Sequence, residues 1–179
     1  MNIYQLWSDH TYRAFETKDK HGYKAFVFNG VPVENWTDVE LYPSKHRTET
    51  GKPIGDVYPV TAGTAIINEK TFKVLEPHIK DCVQILSATI KSKKVYVLNF
   101  TTVIDCLDRD ASKVILFSNS DRIMEIEEFA FHKELLTNAF AFKIPEEIQS
   151  PPFVTEEFKE LIEKNNIKGF KFVPVWKDE

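Results

Sequence analysis

Three carboxylates crowd the stretch "YVLNFTTVIDCLDRDAS", Tyr96 to Ser112: Asp105, Asp108 and Asp110. Acids this close together can ligate a hard cation or share acid–base work, as in metal-dependent hydrolysis. Ligand spacing tests the first idea. With Asp108 as first ligand of a calcium loop, Asp110 is third and Ser112 fifth, but Lys113 falls sixth and Asn119 twelfth. Such a loop needs Gly at the sixth position and a bidentate Glu at the twelfth, so the pattern fails. A two-carboxylate hydrolytic site needs acids on facing elements, and proximity in sequence does not supply that. The competing reading is a turn in which Asp108 or Asp110 caps backbone N–H groups. A metal-dependent hydrolase using Asp105, Asp108 and Asp110 stays open as the alternative function, as does a generic interaction or ligand-binding domain.

Other chemical patterns are thinner. His132-Lys133-Glu134 is the H-x-E half of a zinc deaminase site, but no P-C-x-x-C follows it. "GKPIG", Gly51 to Gly55, lacks the Ser/Thr and the upstream Gly of a phosphate loop. Cys106 lies between Ile104 and Leu107 and reads as a buried, inert thiol. No two histidines stand four apart, and no G-x-S-x-G occurs. No catalytic residue, metal ligand or cofactor site emerges. The "EIEE" cluster adds Glu125, Glu127 and Glu128, which read as a solvated strand edge or as contacts to a partner.

The elements that must position these groups are mostly strands. Asn2 to Trp7 and Tyr23 to Gly30 read as two strands, followed by a long polar loop, Pro43 to Pro59, of the kind that is often functional or mobile. Asn68 should cap a short helix that Pro77 ends or kinks near Glu76. Cys82 to Ile90, Lys94 to Ile104, Lys113 to Phe117 and Arg122 to Phe131 are dense in Val, Ile, Phe and Tyr. "KSKK" (Lys91 to Lys94) and "SNSD" (Ser118 to Asp121) supply their turns. Short helical turns fit His132 to Ala139, and "AFAFKI" around Phe140 alternates with period two. After Pro151-Pro152, Thr155 should cap a helix with Phe158, Leu161 and Ile162 on one stripe. That helix stops near Asn165 or Asn166, Gly169 takes a positive φ, and "FKFVPVW" forms an edge strand marked by Pro174. The expected class is α+β, with a mainly antiparallel central sheet, few short helices and a C-terminal helix–strand unit.

The chain has 179 residues, 42% of them hydrophobic, enough for one domain spanning 1–179. Its formal net charge of −4 argues against direct nucleic-acid binding and suits a basic protein partner. No secretory signal and no membrane-length apolar run is visible, and two cysteines fit a reducing compartment, so a cytoplasmic location is expected.

Three ordered stretches carry a family resemblance. "GTAIINEKTFKVLEPH" (Gly63 to His78), "KKVYVLNFTTVIDCLDRDAS" (Lys93 to Ser112) and "FVTEEFKELIEKNNIKGFKFVPVW" (Phe153 to Trp176) resemble the bacterial immunity proteins of polymorphic toxin systems, family eleven, earlier catalogued as a domain of unknown function. "DCLDRDAS" and "IKGFKF" are the most distinctive pieces. The resemblance covers residues 63–176, and residues 1–62 match only loosely. It implies a protein that binds a cognate toxin C-terminal domain and neutralises it by occlusion, without catalysis. A nuclease with a basic substrate face is one such toxin, which an acidic inhibitor can imitate. Asp108, Asp110, Glu125, Glu127 and Glu128 are then the acids to consider as partner contacts.

Overall fold

The computed structural model describes residues 1–19, 21–61 and 63–178. Its strands are β1 (Asn2–Ser8), β2 (Phe15–Thr17), β3 (Val39–Pro43), β4 (Ala65–Ile67), β5 (Val83–Ile90), β6 (Lys93–Phe100), β7 (Lys113–Leu116), β8 (Ile123–Glu128), β9 (Ala141–Phe142), β10 (Phe153–Thr155) and β11 (Phe170–Lys177). Two α-helices, α1 (Glu69–Ile79) and α2 (Glu156–Lys164), join them, with 3-10 turns at Gly22–Phe26, Lys133–Leu136 and Pro145–Glu147. The class is α+β and mainly β. The strands are spread over three sheets instead of one central sheet: β11-β1-β10-β9, β2-β3-β5-β6-β4, and the pair β7-β8. All pairs are antiparallel except β3 with β5.

Alternation along β6 shows how the layers form. Val95 and Val97 point to one face, where they pack with Phe15, Phe26, Phe28 and Leu41. Leu98 and Phe100 point to the other, where they meet α1, α2 and residues of the four-stranded sheet. Burying each such side chain contributes about 1.5–3 kcal/mol. The far face of the four-stranded sheet, with Ile3, Phe142 and Phe153, is covered by Leu107, Ile126 and Phe131. Among the described residues no helix is long and apolar enough to cross a membrane.

Several local readings change. Tyr23 to Gly30 is a 3-10 turn followed by irregular chain, because Phe26 and Phe28 lie as a cover on the five-stranded sheet and do not join its ladder. Of the two outcomes expected at Pro77, an end or a kink, the end does not occur: Pro77 lies inside α1, which continues to Ile79. It removes only the bond to the Lys73 carbonyl, and continuing the helix stacks Ile79 beneath Leu75 and Thr71, all buried. Asn68 caps that helix as expected, accepting the Thr71 N–H at 2.9 Å. Thr155 stands at the N-cap of α2, yet its hydroxyl makes no cap bond and donates to the Phe140 carbonyl at 3.5 Å. β6 stops at Phe100, not Ile104, where the Thr101 N–H turns to the Cys82 carbonyl at 3.0 Å. β8 likewise ends at Glu128, short of Phe131.

The stretch after β3 is tethered throughout. Arg13 donates to the Ser44 carbonyl at 2.8 Å, and Glu49 accepts the Ala14 N–H at 2.9 Å. Asp56 accepts the Asn68 amide and the Lys168 N–H, both at 2.8 Å, so it ties this loop to α1 and to the α2–β11 connection. Burial pushes its carboxyl up, but these donors and Lys70 together hold it below its ordinary value.

β5 and β6 close through a two-residue turn, with Ile90 facing Lys93. Lys91 and Ser92 carry φ of 49° and 62°, the pattern of a type I′ turn, which favours Asn and Gly. Ser92→Gly should therefore raise stability by about 1 kcal/mol, read as a higher urea midpoint at unchanged slope.

Candidate functional site: an acidic turn and a projecting hairpin

Residues 101–112 form no continuation of β6. The chain bridges Val103 to Lys143, Leu107 to Phe131, and then turns at Asp108. One oxygen of the Asp108 carboxylate accepts the N–H groups of Asp110 (3.1 Å) and Ala111 (3.0 Å), so the backbone-cap reading is what forms. The carboxylates of Asp105 and Asp110 are exposed and take no part in this cap. Among the described residues no group of three His, Cys, Asp or Glu is arranged to hold a metal ion. The hydrolase alternative therefore finds no ligand set around Asp105, Asp108 and Asp110.

The residue between the acids has a partner that sequence reasoning missed. Arg109 donates through Nη2 (2.8 Å) and Nε (3.3 Å) to one oxygen of Glu146, whose side chain is only 4% exposed. The other Glu146 oxygen is buried without a hydrogen bond. No local signal marks this pair, because its members stand 37 positions apart. The remaining motifs resolve as structure. Cys82 and Cys106 are buried, and burial pushes their thiols up to about 11 and about 12. His132 precedes a 3-10 turn, with Nδ1 4.0 Å from Asp108 and 3.8 Å from Glu134. "GKPIG" lies in the tethered loop, where Lys52 donates to the His10 carbonyl at 2.8 Å.

From the acidic turn the chain runs out into a hairpin. The Asp108 N–H donates to the Ala130 carbonyl at 2.9 Å, β7 and β8 pair with each other, and the Phe117 N–H closes on the Arg122 carbonyl at 3.0 Å. Ile126 is buried at its base, with Val114 and Ile123 packed beside it. Glu125, Glu127 and Glu128 are exposed on β8, and Glu127 is paired with Lys113 at 2.8 Å. Between Asp105 and Glu128 stand seven carboxylates and three cations, Arg109, Lys113 and Arg122, a net of −4. The whole chain also carries −4, so the rest of the molecule is electrically balanced.

Lys143 is the other unexpected ionisable group. It is 1% exposed and donates to the carbonyls of Ile148 (3.0 Å) and Ser150 (2.8 Å). Burial pulls its ammonium down to about 8, with no carboxylate among the described residues offsetting it. Two backbone carbonyls make this a structural strut.

Two measurements follow from this geometry. Asp108→Ala should cost about 1 kcal/mol by stranding two turn N–H groups, whereas Asp108→Asn, which keeps an acceptor, should stay near wild type in urea unfolding. A folded pKa below the unfolded one means that Lys143 opposes folding fully below pH 8 and that stability rises as pH climbs from 8 towards 10.5. Relative to Lys143→Met, the wild type should gain about 2 kcal/mol of unfolding free energy between pH 7 and 9.5.

Residues 79–177 match the family model described as "Immunity protein family (Imm11)". The match contains the acidic turn, the hairpin and the α2–β11 unit, and it begins at the last residue of α1. No curated protein matches the chain.

Proposed function

The chain belongs to the Imm11 immunity protein family, and from that membership we propose that it binds and neutralises a cognate bacterial toxin domain by occlusion, without catalysis. The single observation that carries this reading is the family match, which spans more than half of the chain. Occlusion needs a rigid, complementary surface and no turnover. The concentration of net charge between Asp105 and Glu128 supports a partner with a basic face, such as a nuclease whose substrate is a polyanion. The same acidity disfavours direct contact with nucleic acid. The protein acts in the cytoplasm, where an intracellular toxin would meet its target.

The whole chain serves as one binding unit, since β1, outside the matched span, lies between β10 and β11 inside it. Of the candidate contacts, Asp108 is engaged in its turn and Glu127 with Lys113, which leaves Asp110, Glu125 and Glu128 as the more available acids.

The test is co-expression with the toxin domain encoded beside this gene. Growth should recover and a stable complex should co-purify. In a titration of toxin activity, inhibition should be complete at molar equivalence, as an occluding inhibitor requires. Persistent arrest with no complex defeats the proposal, and complete inhibition far below equivalence defeats the non-catalytic mechanism.

A further inference from the structure

We infer that the tip of the β7–β8 hairpin is the element that docks on the toxin, with Leu116, Phe117 and Met124 as its apolar centre and Glu125 and Glu128 as its acidic rim. This inference rests on the immunity reading and names the surface that would perform it.

Four observations carry it. Leu116, Phe117 and Met124 are 45%, 39% and 51% exposed within nine residues of chain, although each is a side chain that gains by leaving water. Arg122 lies over the Phe117 ring at 4.4 Å and holds it at the surface. An apolar centre inside a charged rim is the ordinary anatomy of a protein interface. The hairpin is also acidic: residues 113–128 carry four carboxylates and two cations, a net of −2, and the turn at its base, residues 105–112, adds another −2. Finally, β7 and β8 pair with no further strand among the described residues, and Leu116, Phe117 and Met124 lie outside the cluster that takes up Val114, Ile123 and Ile126.

The occupant is constrained by the same facts. A second copy of this chain would bring one −4 segment against another, which like-charge repulsion opposes. Addition of a foreign strand to the ribbon is opposed by two register shifts, at Lys113/Val114 and Ile115/Leu116, which break the regular spacing an incoming strand needs. What remains is side-chain docking into a cleft that is apolar at its floor and basic at its rim. A toxin cleft built for an anionic substrate has that chemistry.

The experiment measures binding of the full chain to an inactivated form of the toxin domain encoded beside its gene, by calorimetry and by association kinetics at two salt concentrations. Glu125→Lys/Glu128→Lys should weaken binding by at least about tenfold, mainly through slower association at low salt. Leu116→Ser/Met124→Ser should weaken it by at least about tenfold through faster dissociation. Glu16→Lys/Glu34→Lys changes the net charge by the same amount on exposed sites elsewhere and should stay within about twofold of wild type. As a readout independent of any variant, amide exchange of the wild-type complex should show new protection over residues 113–128. Wild-type binding with unaffected hairpin variants, or protection confined elsewhere, overturns the inference and leaves the immunity reading standing. Failure of the wild type itself to bind rejects both.

Discussion

Everything else in the molecule is arranged around one strand taken from the start of the chain and placed in the middle of a sheet built from its end. β1 pairs with β10 through Ile3↔Thr155 to Gln5↔Phe153, and with β11 from Asn2↔Lys177 to Ser8↔Phe170. Its two faces serve different cores: Ile3 joins Phe142 and Phe153, while Leu6 joins Val154 and Phe158. Glu156 at the start of α2 tightens the joint by accepting from Asn2 and Tyr4, each at 2.6 Å, and from Lys159 at 3.0 Å. The Tyr4, Asn2 and Lys159 donors pull its carboxyl down to about 2. That hold is full above the ordinary value of 4.5 and is lost as pH falls from there towards 2. Without β1, β11 would lose its ladder partner and β10 one of its two.

The hairpin inherits its position from this joint. Its base residues Ile126 and Phe131 pack on the sheet face that Ile3 helps to build, and Phe131 meets Phe153 and Trp176 edge-on at 5.5 and 5.7 Å. At its outer end Ile123 still packs on that footing, while Leu116, Phe117 and Met124 keep apolar surface in water. The free edge of β11 is protected in the manner usual for soluble proteins: Pro174, a register shift between Ile3 and Tyr4, and the exposed lysines Lys171 and Lys177. Apolar exposure at the hairpin tip is thus local to the ribbon, while the longest sheet edge is guarded.

Sequence periodicity made the strands readable where one or both faces are buried. β5, β6, the α2 stripe and the edge strand β11 all follow from alternation, caps and the placement of Pro174 and Gly169. Tyr23 to Gly30 misled because alternating aromatics satisfy a covering segment as well as a strand. Pro77 does not end its helix because a proline near a helix end costs one hydrogen bond, and the buried Ile79 outweighs it. Lys143 and Glu146 were not legible at all. Burial of a lysine on two carbonyls, or of a carboxylate against an arginine 37 positions away, depends on tertiary geometry with no short-range pattern. The division into three sheets was equally hidden, since it hinges on β1 leaving its sequence neighbours for the C-terminal strands.

The acidic turn shows how a carboxylate's role can be judged from the donors that surround it. Asp108 stands in the middle of the most chemically suggestive stretch, yet one of its oxygens already accepts the N–H groups of Asp110 and Ala111. Glu127 is committed to Lys113, and Glu146 to Arg109. Acids that already satisfy internal donors would have to give those up to meet a partner, which costs about as much as the new contact returns. Glu125 and Glu128 face no such exchange: they are exposed and make no ion pair among the described residues. A partner cation meeting them exchanges only water. The proposed recognition by charge thus falls to the acids without internal donors, Asp110, Glu125 and Glu128, while the Asp108 cap fixes the turn from which the hairpin starts.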